Sequence, residues 1–344
     1  MSDAAFIFPA VKGIQATREY YTSMVPLGII PQLFHFTDEN LPPESRSQRT
    51  LNTSRIPEMC NYILDNLGSY VFSSLTVSVD GSLEFAPINE ENPTIGHLRI
   101  PMDARFLIND GQHRQAAIAE AIKKNPALKK EHISVVFYKD EGLQRSQQMF
   151  SDLNRYAIRP TRSINILYNS REEDSIIAKK VVDSVPVFMG LTEKEKTAIS
   201  NRSIALFTLS AISTATTELL KDIAMSLEGK TDLAINFWNS VANYIPEWNE
   251  VKKGHMKSSE LRKNYVCSLS ITLVAIGAAG NELLRTSQDA WQQKLKKLSS
   301  INWQKNNPLW EGLIFVNGKV AANRATQKAM SGYITSYLIE ETGD

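Results

Sequence analysis

Residues Arg105–Ala117 read Arg-Phe-Leu-Ile-Asn-Asp-Gly-Gln-His-Arg-Gln-Ala-Ala. Phe106, Leu107 and Ile108 make a short apolar strand, Asn109-Asp110-Gly111 is turn chemistry, and a helix opens at once with Ile118, Ala121 and Ile122 on its core side. A strand that turns at a glycine into a helix suits an anion. The first helical N–H groups lack intrahelical acceptors, and the helix dipole adds partial positive charge there. Gly111 lets the backbone approach a bound group. His113 and Arg114 stand in the first turn, where a cation opposes the dipole; a bound phosphate accounts for both, and Arg114 can grip it with two parallel hydrogen bonds. The plainer reading makes Asp110 an N-cap, His113 a satisfied core histidine and Arg114 the partner of a structural carboxylate. Spacing alone leaves both open.

A second cluster follows. Between Gly142 and Arg171 stand Arg145, Arg155, Arg159, Arg162 and Arg171, with Asp152 the only carboxylate and Tyr156 among them. Arginine suits phosphate through its planar fork, so Arg145, Arg159 and Arg162 are candidate DNA contacts. The alternative is a solvated loop.

The elements that must position these groups follow from periodicity. Val25–Phe36 reads as a strand region, Asp38–Gln48 as a loop, 56–67 as a helix and 70–79 as a strand. Another strand region covers 98–108, a helix 112–124, a strand 133–138 and a helix 143–153. Beyond about residue 170, helical patterns dominate: 174–185, 204–220, 232–244, 260–279 and 288–298. The expectation is an α/β domain over 1–175 and an α-helical domain over 176–344. All five tryptophans lie in the second half, where helix packing is their expected use.

Composition bounds the rest. The 344 residues carry 38 Lys+Arg against 37 Asp+Glu, so no global field marks a nucleic-acid binder and any such role must be local. Two cysteines, Cys60 and Cys267, exclude a disulfide scaffold and fit a reducing compartment. The five histidines and two cysteines show no zinc spacing. The N-terminus lacks the basic and apolar regions of a signal peptide, and 268–279 is too short to span a bilayer and reads as a buried helix. A cytoplasmic protein without membrane contact is expected.

Asp110-Gly111-Gln112-His113-Arg114, with Ala116-Ala117 and the downstream Phe150-x-x-Leu153-Asn154-Arg155, resembles the DGQHR-domain proteins of the DndB type, which belong to DNA sulfur modification systems. The resemblance covers roughly residues 20–170. It implies a ParB/sulfiredoxin-like α/β core whose glycine corner binds nucleotide phosphates. It also implies a DNA-binding regulator of phosphorothioate modification rather than the sulfur-transferring enzyme. On this reading Gly111, Gln112, His113 and Arg114 hold phosphate, and Asn154 and Arg155 form a second phosphate-contacting segment. Two departures stand out. Sulfiredoxins carry a nucleophilic cysteine, and ParB proteins a glutamate, where this chain has Gln112, so binding survives the comparison better than hydrolysis. The competing reading is a nucleoside triphosphatase taking ATP or CTP with Mg²⁺, with Asp110 on the metal and His113 and Arg114 at the phosphates. Expected partners are DNA, a nucleotide, other DNA sulfur modification proteins and a second copy of the chain.

Overall fold

The computed structural model describes residues 4–34, 51–155, 160–287, 290–321 and 323–339. The loop expected over 38–48, Tyr156 and the candidate Arg159 lie outside them. The chain divides into two compact units, Met1–Ile158 and Arg159–Asp344.

The first unit is built on a seven-stranded mixed sheet. Its strands are β1 (Ala5–Gln15), β2 (Arg18–Pro26), β3 (Leu75–Asp80), β4 (Glu84–Pro87), β5 (Ile95–Pro101), β6 (Arg105–Asp110) and β7 (His132–Lys139). Their spatial order is β4-β5-β1-β2-β7-β3-β6. Only β3 and β7 run parallel; every other neighbouring pair is antiparallel. The two-residue Ala16-Thr17 turn joins β1 to β2, with Gln15 opposite Arg18 and both turn residues at positive φ. Antiparallel strands closed by so short a loop need this left-handed turn to match their twist.

Alternation assigns the two faces of the sheet. Leu75, Val77 and Val79 of β3, Phe106 and Ile108 of β6, and Val135 and Phe137 of β7 are buried together with α1 (Ile30–Leu33), α2 (Ile56–Asp65) and α3 (Gln112–Lys124). Ala117, Ile118, Ala121 and Ile122 are the buried side of α3. The i, i+3, i+4 spacing that predicts this helix also aims it at the sheet. On the opposite face, α4 (Leu143–Arg155) packs beside β6 and buries Ser146 and Met149.

The strand expected over 25–36 stops at Pro26. Leu27–Ile29 is a 3-10 turn, and Ile30–Leu33 is helical with Pro31 in its first turn. Proline has no N–H to give a sheet ladder, yet fits the first turn of a helix. The strand expected over 70–79 begins only at Leu75, and Tyr70–Ser74 is irregular. Asn109 and Asp110 extend β6 rather than forming the turn, and Gly111 alone makes it.

The second unit is mainly helical. It contains α5 (Arg162–Tyr168), α6 (Glu173–Ser184), α7 (Leu209–Leu220), α8 (Leu227–Asn243), α9 (Pro246–Lys252), α10 (Ser258–Asn264), α11 (Ser270–Thr286), α12 (Trp291–Leu295) and α13 (Arg324–Ile339). Two-residue strands pair as Thr192–Glu193 with Phe207–Thr208 and as Phe315–Val316 with Lys319–Val320. Helix α11 is the apolar stretch near 268–279, buried between α7 and α13. Gly277 lies against the backbone of Ala215, so the two helices approach too closely for a side chain there. The single helix expected over 260–279 is two helices. Residues 265–269 break it as Val266 donates its N–H to Trp303 and Tyr265 bridges Gln304. Trp238, Trp248, Trp303 and Trp310 are fully buried, as helix packing requires. Among the described residues, no helix is long and apolar enough to cross a membrane.

Candidate phosphate-binding corner

Strand β6 is an edge strand, and the chain leaves it at Gly111 to begin α3. Gly111 has φ +105° and ψ 15°, and a Cβ there would strike Leu75 at the start of β3. Only glycine meets both conditions. Among the described residues no side chain caps the helix, its first turn holds no acidic residue, and the first intrahelical bond runs from the Gln115 N–H to the Gly111 carbonyl at 2.9 Å. Residues Gly111–Arg114 are all half-buried. Among the described residues the helix start therefore keeps its positive end toward a partly open surface.

Arg114 is turned inward. Its Nη2 donates to Asp110 Oδ2 at 2.6 Å, and its Nη1 donates to the Ser73 carbonyl at 2.7 Å, Ser73 Oγ at 2.5 Å and the Ser74 carbonyl at 2.6 Å. The Arg114 side chain is only 14% exposed, against 42% for Asp110. The guanidinium thus clamps the segment leading into β3 to the end of β6. It also neutralises the Asp110 carboxylate, which would otherwise repel an anion at the helix start. Asp110 is not the N-cap of α3, because Gly111 holds that position.

The Asp110–Arg114 pair does not fit a magnesium ion. One Asp110 oxygen is already bonded, and a fixed cation stands beside it. Among the described residues no cluster of three His, Cys, Asp or Glu could hold a metal. His113 accepts the Asn52 N–H at Nε2, 3.2 Å away, which requires that nitrogen to carry no proton. The histidine thereby anchors the segment before α2.

Asn109 is a residue that sequence reasoning passed over as turn chemistry. It is 1% exposed, on the sheet face opposite Ile108. Its Nδ2 donates to Ser78 Oγ at 2.6 Å and toward Met149 Sδ at 3.1 Å. Its Oδ1 has no hydrogen-bond partner among the described residues. The side chain ties β3 and α4 to the strand that delivers the pentapeptide. The available signal was an amide at an inward position of an apolar strand.

Helix α4 carries the downstream candidates. Arg145 lies close enough to Tyr138 to favour its ionised form, although burial still leaves that phenol raised overall. Asn154 donates Nδ2 to the Phe150 carbonyl of its own helix at 2.8 Å. Arg155 closes the last turn, where a cation suits the dipole. Asn154 and Arg155 are exposed. Arg162 belongs to the second unit, where it opens α5 as an exposed residue.

An α/β unit whose edge strand turns at a glycine into a helix, followed by a mainly helical unit, makes this a mixed α/β protein. The DndB family, described as DNA-sulfur modification-associated, matches residues 8–340, and the chain belongs to it. That membership ties the protein to DNA sulfur modification. No curated protein and no solved structure gives a significant match.

Proposed function

We propose that the protein is a DNA-binding regulator of phosphorothioate modification, and that the Gly111–Arg114 corner receives a phosphate. The ligand is a DNA backbone phosphate or the phosphate of a nucleotide such as ATP or CTP. The α/β unit would then serve as a ParB/sulfiredoxin-like phosphate binder. The supporting observation is the uncapped start of α3 at a left-handed glycine, beside a carboxylate already neutralised by Arg114. Backbone N–H groups and dipole remain directed at an anion, and the negative charge nearest them is cancelled. DNA and other proteins of the same modification system are the natural partners on this reading.

Gln112→Glu tests it. A carboxylate in the first turn favours the helix itself but repels a phosphate at the same point. The expected result is an unchanged melting temperature with duplex or nucleotide affinity about tenfold lower, the size of one lost charge-assisted contact. Duplex, ATP and CTP titrations run in parallel identify which phosphate is bound. Unchanged affinity for all three would sink the proposal.

A further inference from the structure

A second basic pocket lies in the helical unit, away from the pentapeptide in sequence. It is open, about 840 Å³, and lined by Asn201, Ser259, Glu260, Arg262, Lys263, Asn264 and Lys305. Three cations face one carboxylate. Arg262 donates Nη1 to the Ser203 carbonyl at 3.0 Å and to that of Ala205, and Nη2 to those of Ser200 and Asn201 at 3.0 and 3.2 Å. Lys305 Nζ donates to the Arg262 carbonyl at 2.7 Å. Carbonyl dipoles hold these cations in place but leave their net charge intact. Among the described residues no carboxylate pairs with Arg262, Lys263 or Lys305.

Burial pulls the ionisation of both Arg262 and Lys305 downward, with desolvation the only cause in each case. A half-buried cation without a counter-ion is costly, and an arriving anion relieves that cost. The pocket also presents neutral donors, the amides of Asn201 and Asn264 and the hydroxyl of Ser259, which suit the several oxygens of a phosphate. Lys263 is exposed and free to close on a ligand, whereas Arg262 is held by its four carbonyls and supplies field rather than a moving contact.

We infer that the pocket bounded by Lys263, Lys305 and Asn264 is a phosphate-binding site of the second unit, separate from the Gly111–Arg114 corner. Its ligand is a phosphate group, carried either by the DNA backbone or by a small free phosphate. The inference does not depend on the proposal for the corner.

The test is acetylation of lysines in the full chain, read by mass spectrometry, with pyrophosphate or a short duplex as probe. Lys123 and Lys319, exposed and outside the pocket, serve as control lysines. Stronger protection of Lys263 and Lys305 than of these controls by pyrophosphate alone assigns the site to a small phosphate. Protection by the duplex assigns it to the DNA backbone. Lys263→Glu is expected to weaken the protecting ligand about tenfold, as loss of one charge-assisted contact does, without lowering the melting temperature. For the duplex it should also flatten the salt dependence by a slope of about one. Gln112→Glu should leave this protection unchanged, which separates failure here from failure at the corner. If neither probe protects Lys263 and Lys305 more than the control lysines, or Lys263→Glu binds as the parent does, the inference is overturned.

Discussion

The carboxylate of Asp110 and the guanidinium of Arg114 meet at 2.6 Å, so the first and last residues of the pentapeptide are bonded across its glycine. The arginine then reaches on to Ser73 and Ser74, some forty residues upstream. Its inward use is structural, and it shapes what mutation of the motif can report.

Arg114→Ala should be a folding mutant before it is a binding mutant. It removes the partner of two backbone carbonyls and a carboxylate, of which Ser73 and Asp110 are open to water, at a cost of about 1–2 kcal/mol. Urea denaturation should show the loss. Arg114→Lys keeps the charge but not the fork, and should lose more than half as much. A fully stable Arg114→Ala protein would mean that the clamp contributes nothing.

The turn between β1 and β2 offers a gain. Ala16 and Thr17 both sit at positive φ, 49° and 66°, where a β-branched residue is strained. Replacing the pair by Asn-Gly, the preferred residues for such a turn, should stabilise the protein by about 1 kcal/mol. Thermal melting of the double variant checks this, and a lower melting temperature would contradict it.

Glu247 gives a pH dependence of known sign. Its Oε2 is buried without a partner among the described residues, and burial raises its carboxyl above the ordinary value of 4.5. The folded chain therefore holds this proton to higher pH than the unfolded chain does. Between 4.5 and the raised folded value, unfolding releases the proton, so this group's contribution to stability falls as pH rises. Glu247→Gln should thus gain on the parent between pH 4 and pH 7 in matched urea titrations. A difference that does not change with pH would contradict the assignment.

The two cysteines should be silent. Cys60 and Cys267 are 1% and 0% exposed, and burial pushes the Cys267 thiol well up, with the nearby Glu247 adding to the shift. Thiolate is the reactive form, so a thiol reagent at pH 8 should label neither residue in the native protein and both in denaturant. Rapid native labelling of Cys267 would show that the second unit opens.

Local signals were legible where one element satisfies itself. Helix α3 starts and stops where its apolar spacing and the Asn125-Pro126 stop place it, and α4 starts at the expected Leu143. Expectation failed where a distant strand or loop competes. β1 and most of β2 were not expected at all; they form a local hairpin across Ala16-Thr17, and β1 takes its other partner, β5, from far along the chain. The break between α10 and α11 is made by a pairing with 303–304.

The same division runs through the corner. The residues by themselves determined that a glycine turns a strand into a helix at Gly111, because a left-handed backbone and a periodic apolar face are local properties. Only the tertiary structure decided where the charges point. It sent Arg114 to Asp110 and the Ser73–Ser74 carbonyls, gave His113 to the Asn52 N–H, and drew Asn109 between Ser78 and Met149. Hydrogen-bond partners are chosen by which groups the sheet brings within about 3 Å, and sequence separation carries no information about that distance.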